Sequence, residues 1–219
     1  MSMFYSDGCQ YNGEFKDGKK NGEGRYFDAC GSRYQGKFKD DKKNGQGTMF
    51  YSNGNRYEGE WDDDKMSGHG KVFRANGVLG YEGEFMGEKA NGQGKILDAN
   101  GNLRYIGEFK NDKVNGWGKC LFANGYHYEG EFKDSKKNGQ GKYFDASGNR
   151  YEGEFKDDKM NGQGTMFYAD GCRYEGEWKN DKRHGMGKVF DADNGLRYEG
   201  EWKHDKKNGQ GKIFDSNGH

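Results

Sequence analysis

The chain has 219 residues and no net charge, 36 basic side chains balancing 36 acidic ones. Leu, Ile, Val and Phe together number only 27, too few for an ordinary aliphatic core, yet aromatics reach 16% and the charges cancel, which argues against disorder. Neutrality removes the electrostatic footprint of a nucleic-acid binder, no stretch nears the ~20 apolar residues of a membrane helix, and the amino terminus lacks the pattern of a secretion signal, so the chain reads as cytoplasmic. Cys9, Cys30, Cys120 and Cys172 form no close pair and read as free thiols.

Taken in chain order, residues 1–10 resemble the second half of a unit, because Met3 to Gly8 matches Met49 to Gly54. Nine full units follow, opening at Tyr11, Tyr34, Tyr57, Tyr81, Tyr105, Tyr128, Tyr151, Tyr174 and Tyr198 with a period of 23 or 24 residues. In each, an aromatic residue follows the tyrosine by four (Phe15, Trp61 and Phe155, for example) and a lysine by eight. Tyr151, Gly153 and Phe155 alternate with Glu152 and Glu154, the period of a strand with one aromatic and one charged face. Lys156 to Asn161 reads as a six-residue hairpin loop, a second short strand passes Gly164, Met166 and Phe167, and Ala169 to Gly171 turns the chain into the next unit. Lone hairpins are marginal in water, so the units are expected to pair edge to edge in one continuous antiparallel sheet over residues 1–219, with rings lying over glycine backbone. The absence of proline agrees, since nearly every amide serves the ladder.

The unit Tyr174-Glu-Gly-Glu-Trp-Lys-Asn-Asp-Lys-Arg-His-Gly-Met-Gly-Lys resembles the MORN repeat (membrane occupation and recognition nexus), in register nine times over residues 11–218. The resemblance implies an all-β fold: a single-layer, elongated sheet of nine hairpins with an extra amino-terminal half repeat. It also implies a non-enzymatic scaffold or adaptor in a cytoskeletal or ciliary (axonemal) assembly, holding a partner helix in a groove or a strand at an edge, and self-association. Its alternative roles are a phospholipid-associated adaptor, or an accessory region related to phosphatidylinositol phosphate kinases without the kinase domain. For the adaptor the candidates are tip lysines such as Lys42 and Lys43 or Lys136 and Lys137, which neighbouring aspartates weaken toward anionic lipid. Terminal strands with unpaired edges read either as end-to-end docking sites or as frayed ends.

No cofactor or metal is expected. The glutamates that follow the tyrosine by three in eight of the nine units, Glu154 among them, recur in place and read as cross-strand partners of lysine and arginine rather than as general acids. His69, His127, His184, His204 and His219 lack zinc spacing, the Gly-x-Gly pairs sit in strands rather than before helices, and Asp191 to Gly195 lacks the rest of a calcium loop. Departures from the repeat carry more information. Trp117 stands between the paired glycines of the fifth unit, Ile106 replaces a polar residue, Met86 replaces Lys or Asp, and Leu79 and Tyr126 enrich the connections. Residues 78–126 are therefore the expected partner patch, its anchors Trp117, Ile106, Met86, Leu79 and Tyr126 together with the ring-face residues Trp61, Phe85 and Phe109 on an open aromatic groove. Whether Ile106 and Trp117 share a face depends on a one-residue choice of register that stays open at this level.

Overall fold

The computed structural model describes residues 2–215; the readings placed on 216–219, the final turn of the ninth unit and His219, lie outside them. Among the described residues there are nineteen strands and no helix, and each strand is antiparallel to those with which it pairs. The fold class is thus the open antiparallel sheet of hairpins that the repeat predicts. Contacts divide the chain into two units, residues 1–113 and 114–219, each a succession of such hairpins. The half repeat is real: Ser2–Phe4 pairs with Gln10–Lys16, Met3 facing Tyr11 as Met49 faces Tyr57.

The seventh repeat shows how sequence builds the unit. Its strands, Arg150–Lys156 and Lys159–Phe167, pair Tyr151 with Met166, Gly153 with Gly164 and Phe155 with Met160. The expected six-residue loop is only a two-residue turn, Asp157-Asp158, with φ of 49° and 70°. Both residues are left-handed, as the tight hairpin turn matching strand twist requires, and Asp tolerates that region. Of the other residues assigned to the loop, Lys156 ends the first strand and Lys159 to Asn161 extend the second through a β-bulge opposite Gly153 to Phe155. Gly162 occupies the bulge at φ +69°, and the Glu154 carboxylate fills the space beside it. Its Oε1 accepts from the Gln163 amide at 3.1 Å. Glu14, Glu84, Glu131, Glu177 and Glu201 do the same for their own repeats. These glutamates therefore satisfy amides that the bulge removes from the ladder, and the expected lysine and arginine pairing falls to the preceding glutamate: Glu152 meets Lys142 at 3.2 Å and Arg150 at 3.1 Å. The extra residue of the 24-residue repeats is absorbed as a bulge, as at Val72/Phe73 and Val189/Phe190.

The core is a row of rings on one face. Tyr151 is fully buried, its ring lying over Gly153 and Gly164 and its hydroxyl donating to the Glu154 carbonyl at 3.1 Å. It meets Phe155 of its own repeat at 5.1 Å and Trp178 of the next at 5.3 Å, both edge to face. The pattern recurs, as in Tyr34 with Phe38 and Trp61, and Tyr57 with Trp61 and Phe85. The indole nitrogens of Trp61 and Trp178 donate to the Gly47 and Gly164 carbonyls, so these rings bury no orphan donor.

Two outcomes follow from this packing. A Cβ on Gly153 would stand 2.5 Å from the Gly164 Cα and 2.6 Å from the Tyr151 hydroxyl. Gly153→Ala is expected to cost about 1–3 kcal/mol, the usual range for overpacking, read as a lowered denaturant midpoint. Burial also pushes the Tyr81 hydroxyl up to about 12 and raises Tyr34, Tyr57, Tyr128, Tyr151 and Tyr174 as well. Above the unfolded tyrosine value of about 10 the native state then binds more protons than the unfolded chain, so stability falls as pH rises. Melting temperature should hold up to pH 10 and drop between 10 and 12, and tyrosinate absorbance should appear together with unfolding; a smooth tyrosinate titration centred at 10 in the folded protein would contradict the packing.

Candidate partner-binding surface

Strand alternation from Tyr151 assigns every side chain to one of two faces. The ring face is closed by its own residues except over Tyr81, which is half-buried. Trp61, Phe85 and Phe109 are 5%, 8% and 5% exposed, so the expected open aromatic groove is corrected: these three are core, because each ring packs edge-on against tyrosines of two repeats.

The concavities lie on the opposite, charged face. In residues 1–113 one of about 750 Å³ is floored by Gly36, Gly47 and Gly59 and walled by Gln46, Glu58 and Glu60. In residues 114–219 another, of about 530 Å³, is floored by Gly141, Gly153 and Gly164 and walled by Gln140, Glu154 and Trp117. Glycine permits both, since a strand without side chains leaves a trough between flanking rows. Ion pairs line this face, such as Glu82 with Lys95 at 2.8 Å and Lys71 at 3.3 Å, and the Lys95 ammonium holds the Glu82 carboxyl below its usual range. Along one margin guanidinium groups stack on rings: Arg56 over Phe73 at 4.2 Å, Arg150 over Phe167 at 4.3 Å and Arg173 over Phe190 at 3.7 Å.

The register now places the candidate anchors. Trp117 pairs with Glu131 and is 55% exposed; Ile106 pairs with Lys95 and is 46% exposed; each points to the charged face of its own unit. Met86, 65% exposed, lies next to the hairpin tip opposite Lys89. Leu79 and Tyr126 are half-buried, Leu79 opposite Phe73 and Tyr126 against Tyr143 at 5.8 Å. Leu79, Ile106 and Met86 belong to residues 1–113, Trp117 and Tyr126 to residues 114–219. Met186, 52% exposed at the position equivalent to Trp117, escaped the sequence reading, although its departure from Gln was visible there.

Hairpin tips are interlocked within each unit. Lys42 reaches Asp63 at 2.7 Å and Lys136 reaches Asp157 at 3.3 Å, while the Asp64 and Asp158 carboxylates accept from the Lys43 and Lys137 amides, each at 2.9 Å. The Lys43 and Lys137 ammonium groups turn onto the ring face, where burial lowers their pKa despite those aspartates. His184 and His204 also meet, ring centroids 5.6 Å apart. Nothing in their spacing announced this pair, because it depends on which tips are neighbours. Among the described residues no three His, Cys, Asp or Glu side chains are grouped to hold a metal, no helix is long and apolar enough to cross a membrane, and the four cysteines are free.

Comparison with known proteins agrees with the repeat. The MORN repeat model matches nine times, at 11–32, 34–56, 57–78, 81–103, 105–125, 128–150, 151–173, 174–195 and 198–219. No curated protein sequence matches significantly. Among solved structures, similarity extends to the SAS-4 (dCPAP) TCP domain of Drosophila melanogaster in complex with a proline-rich motif of Ana2 (dSTIL), at 13% identity, covering 79% of this chain and 86% of that one, with a TM-score of 0.41. A point mutant of the TCP10 domain of Danio rerio CPAP is similar at 10% identity, 92% and 99% coverage and a TM-score of 0.44. Likenesses this weak carry no argument about fold or function. With nine matches in register spanning nearly all of its length, the chain belongs to the MORN repeat family, a non-catalytic repeat type.

Proposed function

We propose that this protein is a non-enzymatic scaffold or adaptor whose charged, concave face holds a partner protein, with Trp117 as the anchor in residues 114–219. The observation that carries the reading is an indole more than half exposed at the wall of a glycine-floored concavity. Large aromatic side chains in such settings dominate interface energetics, while the surrounding Gln, Glu and Lys supply adaptable hydrogen bonds. The opposite face supports this assignment by being spent on the core. A cytoskeletal or ciliary setting, and self-association, come from the family's usual roles. Trp117→Ala should leave the melting curve within about 0.5 kcal/mol of wild type, as expected for an exposed position, and should remove a specific partner from pull-downs of native extract analysed by mass spectrometry. A large stability loss with an unchanged partner set would overturn the proposal.

The alternative of a phospholipid adaptor draws on the tip lysines, yet Lys42 and Lys136 are engaged by aspartates and the chain is neutral. Polybasic attraction needs uncompensated charge near the surface. Sedimentation with anionic vesicles at two salt concentrations should therefore show little binding; salt-sensitive binding would favour the adaptor, or the related reading of a region accessory to a phosphatidylinositol phosphate kinase.

A further inference from the structure

On the ring face, the residue opposite the second aromatic ring of each hairpin acts as a lid over the tyrosine. It is Lys20 opposite Phe15, Lys43 opposite Phe38, Met66 opposite Trp61 and Ala90 opposite Phe85. In residues 114–219 it is Lys137, Met160 and Arg183 in successive repeats.

Where the lid is lysine, its ammonium is caged by rings. Lys20 Nζ lies 5.8, 4.9 and 5.6 Å from the centroids of Tyr11, Tyr26 and Phe38, and Lys137 Nζ lies 5.5, 5.1 and 5.4 Å from those of Tyr128, Tyr143 and Phe155. Arg183 places its guanidinium carbon 4.2 Å from the Trp202 ring. A tip carboxylate caps the backbone beside each cage: Asp41 accepts from the Lys20 main-chain amide at 2.8 Å and Asp158 from the Lys137 main-chain amide at 2.9 Å. In these repeats the slot holds an alkylammonium between a tyrosine and the ring of the next repeat, beside a tip whose aspartate caps the lysine main chain.

The fourth repeat keeps those walls and lacks the cation. Tyr81 and Phe109 stand edge to face at 5.2 Å, the geometry of Tyr11 with Phe38 and Tyr128 with Phe155. Asp112 accepts from the Ala90 amide at 2.8 Å, as its counterparts do. The third wall is Ile96, across the strands from Tyr81, in place of Tyr26 or Tyr143. Ala90 ends at its Cβ and cannot reach over the tyrosine. Tyr81 is accordingly half-buried, while the tyrosines under Lys20, Lys43, Met66, Lys137, Met160 and Arg183 are at most 1% exposed.

We propose that the notch over Ala90, walled by Tyr81, Phe109, Ile96 and Asp112, binds the ammonium of a lysine side chain borne by a partner protein. Ring faces attract the cation, the Asp112 carboxylate on the neighbouring tip adds negative charge nearby, and Ile96 offers apolar surface to the methylene stem. Within residues 1–113 the site lies on the face opposite the concavity floored by Gly36, Gly47 and Gly59, and it stands whether or not Trp117 anchors a partner.

The test is an amide NMR titration of the full chain with Nα-acetyl-lysine N-methylamide, with Nα-acetyl-norleucine N-methylamide as the uncharged control. The lysine probe should give saturable shifts centred on Ala90, Asp112 and Tyr81, with a dissociation constant on the order of millimolar for one isolated side chain, and norleucine should not. Ala90→Lys and Ala90→Met supply lids that other repeats already carry, so both should fold, as checked by circular dichroism, and both should weaken the lysine probe tenfold or more. An absent or non-saturable response, equal shifts from norleucine, or undiminished binding by either folded variant would overturn the site.

Discussion

One contact organises this molecule: a tyrosine ring laid flat over two glycines that face each other across a hairpin. Tyr151 over Gly153 and Gly164 is the pattern, its hydroxyl tied to the carbonyl of Glu154. The arrangement substitutes for the second layer that a sheet ordinarily needs to bury its apolar face. Rings cover backbone where no side chain stands, and each ring is covered in turn by the aromatic residues of its own repeat and the next. With only 27 Leu, Ile, Val and Phe residues available, no other core could be assembled. Stability becomes a sum over neighbours, as in other repeat arrays.

That economy divides the two faces by role. On the ring face the tyrosine and its two glycines must repeat without variation, since one added methyl group at Gly153 would collide with backbone. The charged face carries no such restriction. Its glutamates are used locally, Glu152 in ion pairs and Glu154 on the bulged amide, which leaves the row containing Gln163 to vary. In that row Glu23, His69, Trp117 and Met186 depart from the prevailing Gln, and in it the two large apolar side chains are more than half exposed. Variation on the ring face falls at the second ring, Phe or Trp, at the residue across from the tyrosine, as in Tyr26, Met49, Val72 and Ile96, and at the lid, where the short Ala90 leaves its tyrosine only half-buried.

Much of the architecture was legible in the residues: the hairpin unit, the half repeat at the start, the ring-over-glycine packing and the Ala169 to Gly171 turn, which the structure closes by the flanking Tyr168 amide donating to the Cys172 carbonyl at 2.9 Å. The tip misled because polarity alone does not separate a loop from a bulged strand. Lys159 to Asn161 reads as loop, yet the two left-handed aspartates before it complete the turn, and Asp158 reaches back to cap the preceding tip. The glutamates misled similarly, since a carboxylate satisfying a bulged amide has the same spacing as one paired with lysine.

Spacing, alternation and glycine placement along the chain determined the strands, their pairing partners and the tyrosine core, because all of these follow from contacts within one repeat and the next. Which face is closed and which is concave was decided only by the folded register. Alternation says that Phe155 and Glu154 point to opposite sides, but not that edge-to-face packing seals one side while glycine troughs open the other. The exposure of Tyr81 beneath Ala90, and the meeting of His184 with His204, likewise arise between residues that are distant in the chain, where only three-dimensional proximity makes them neighbours.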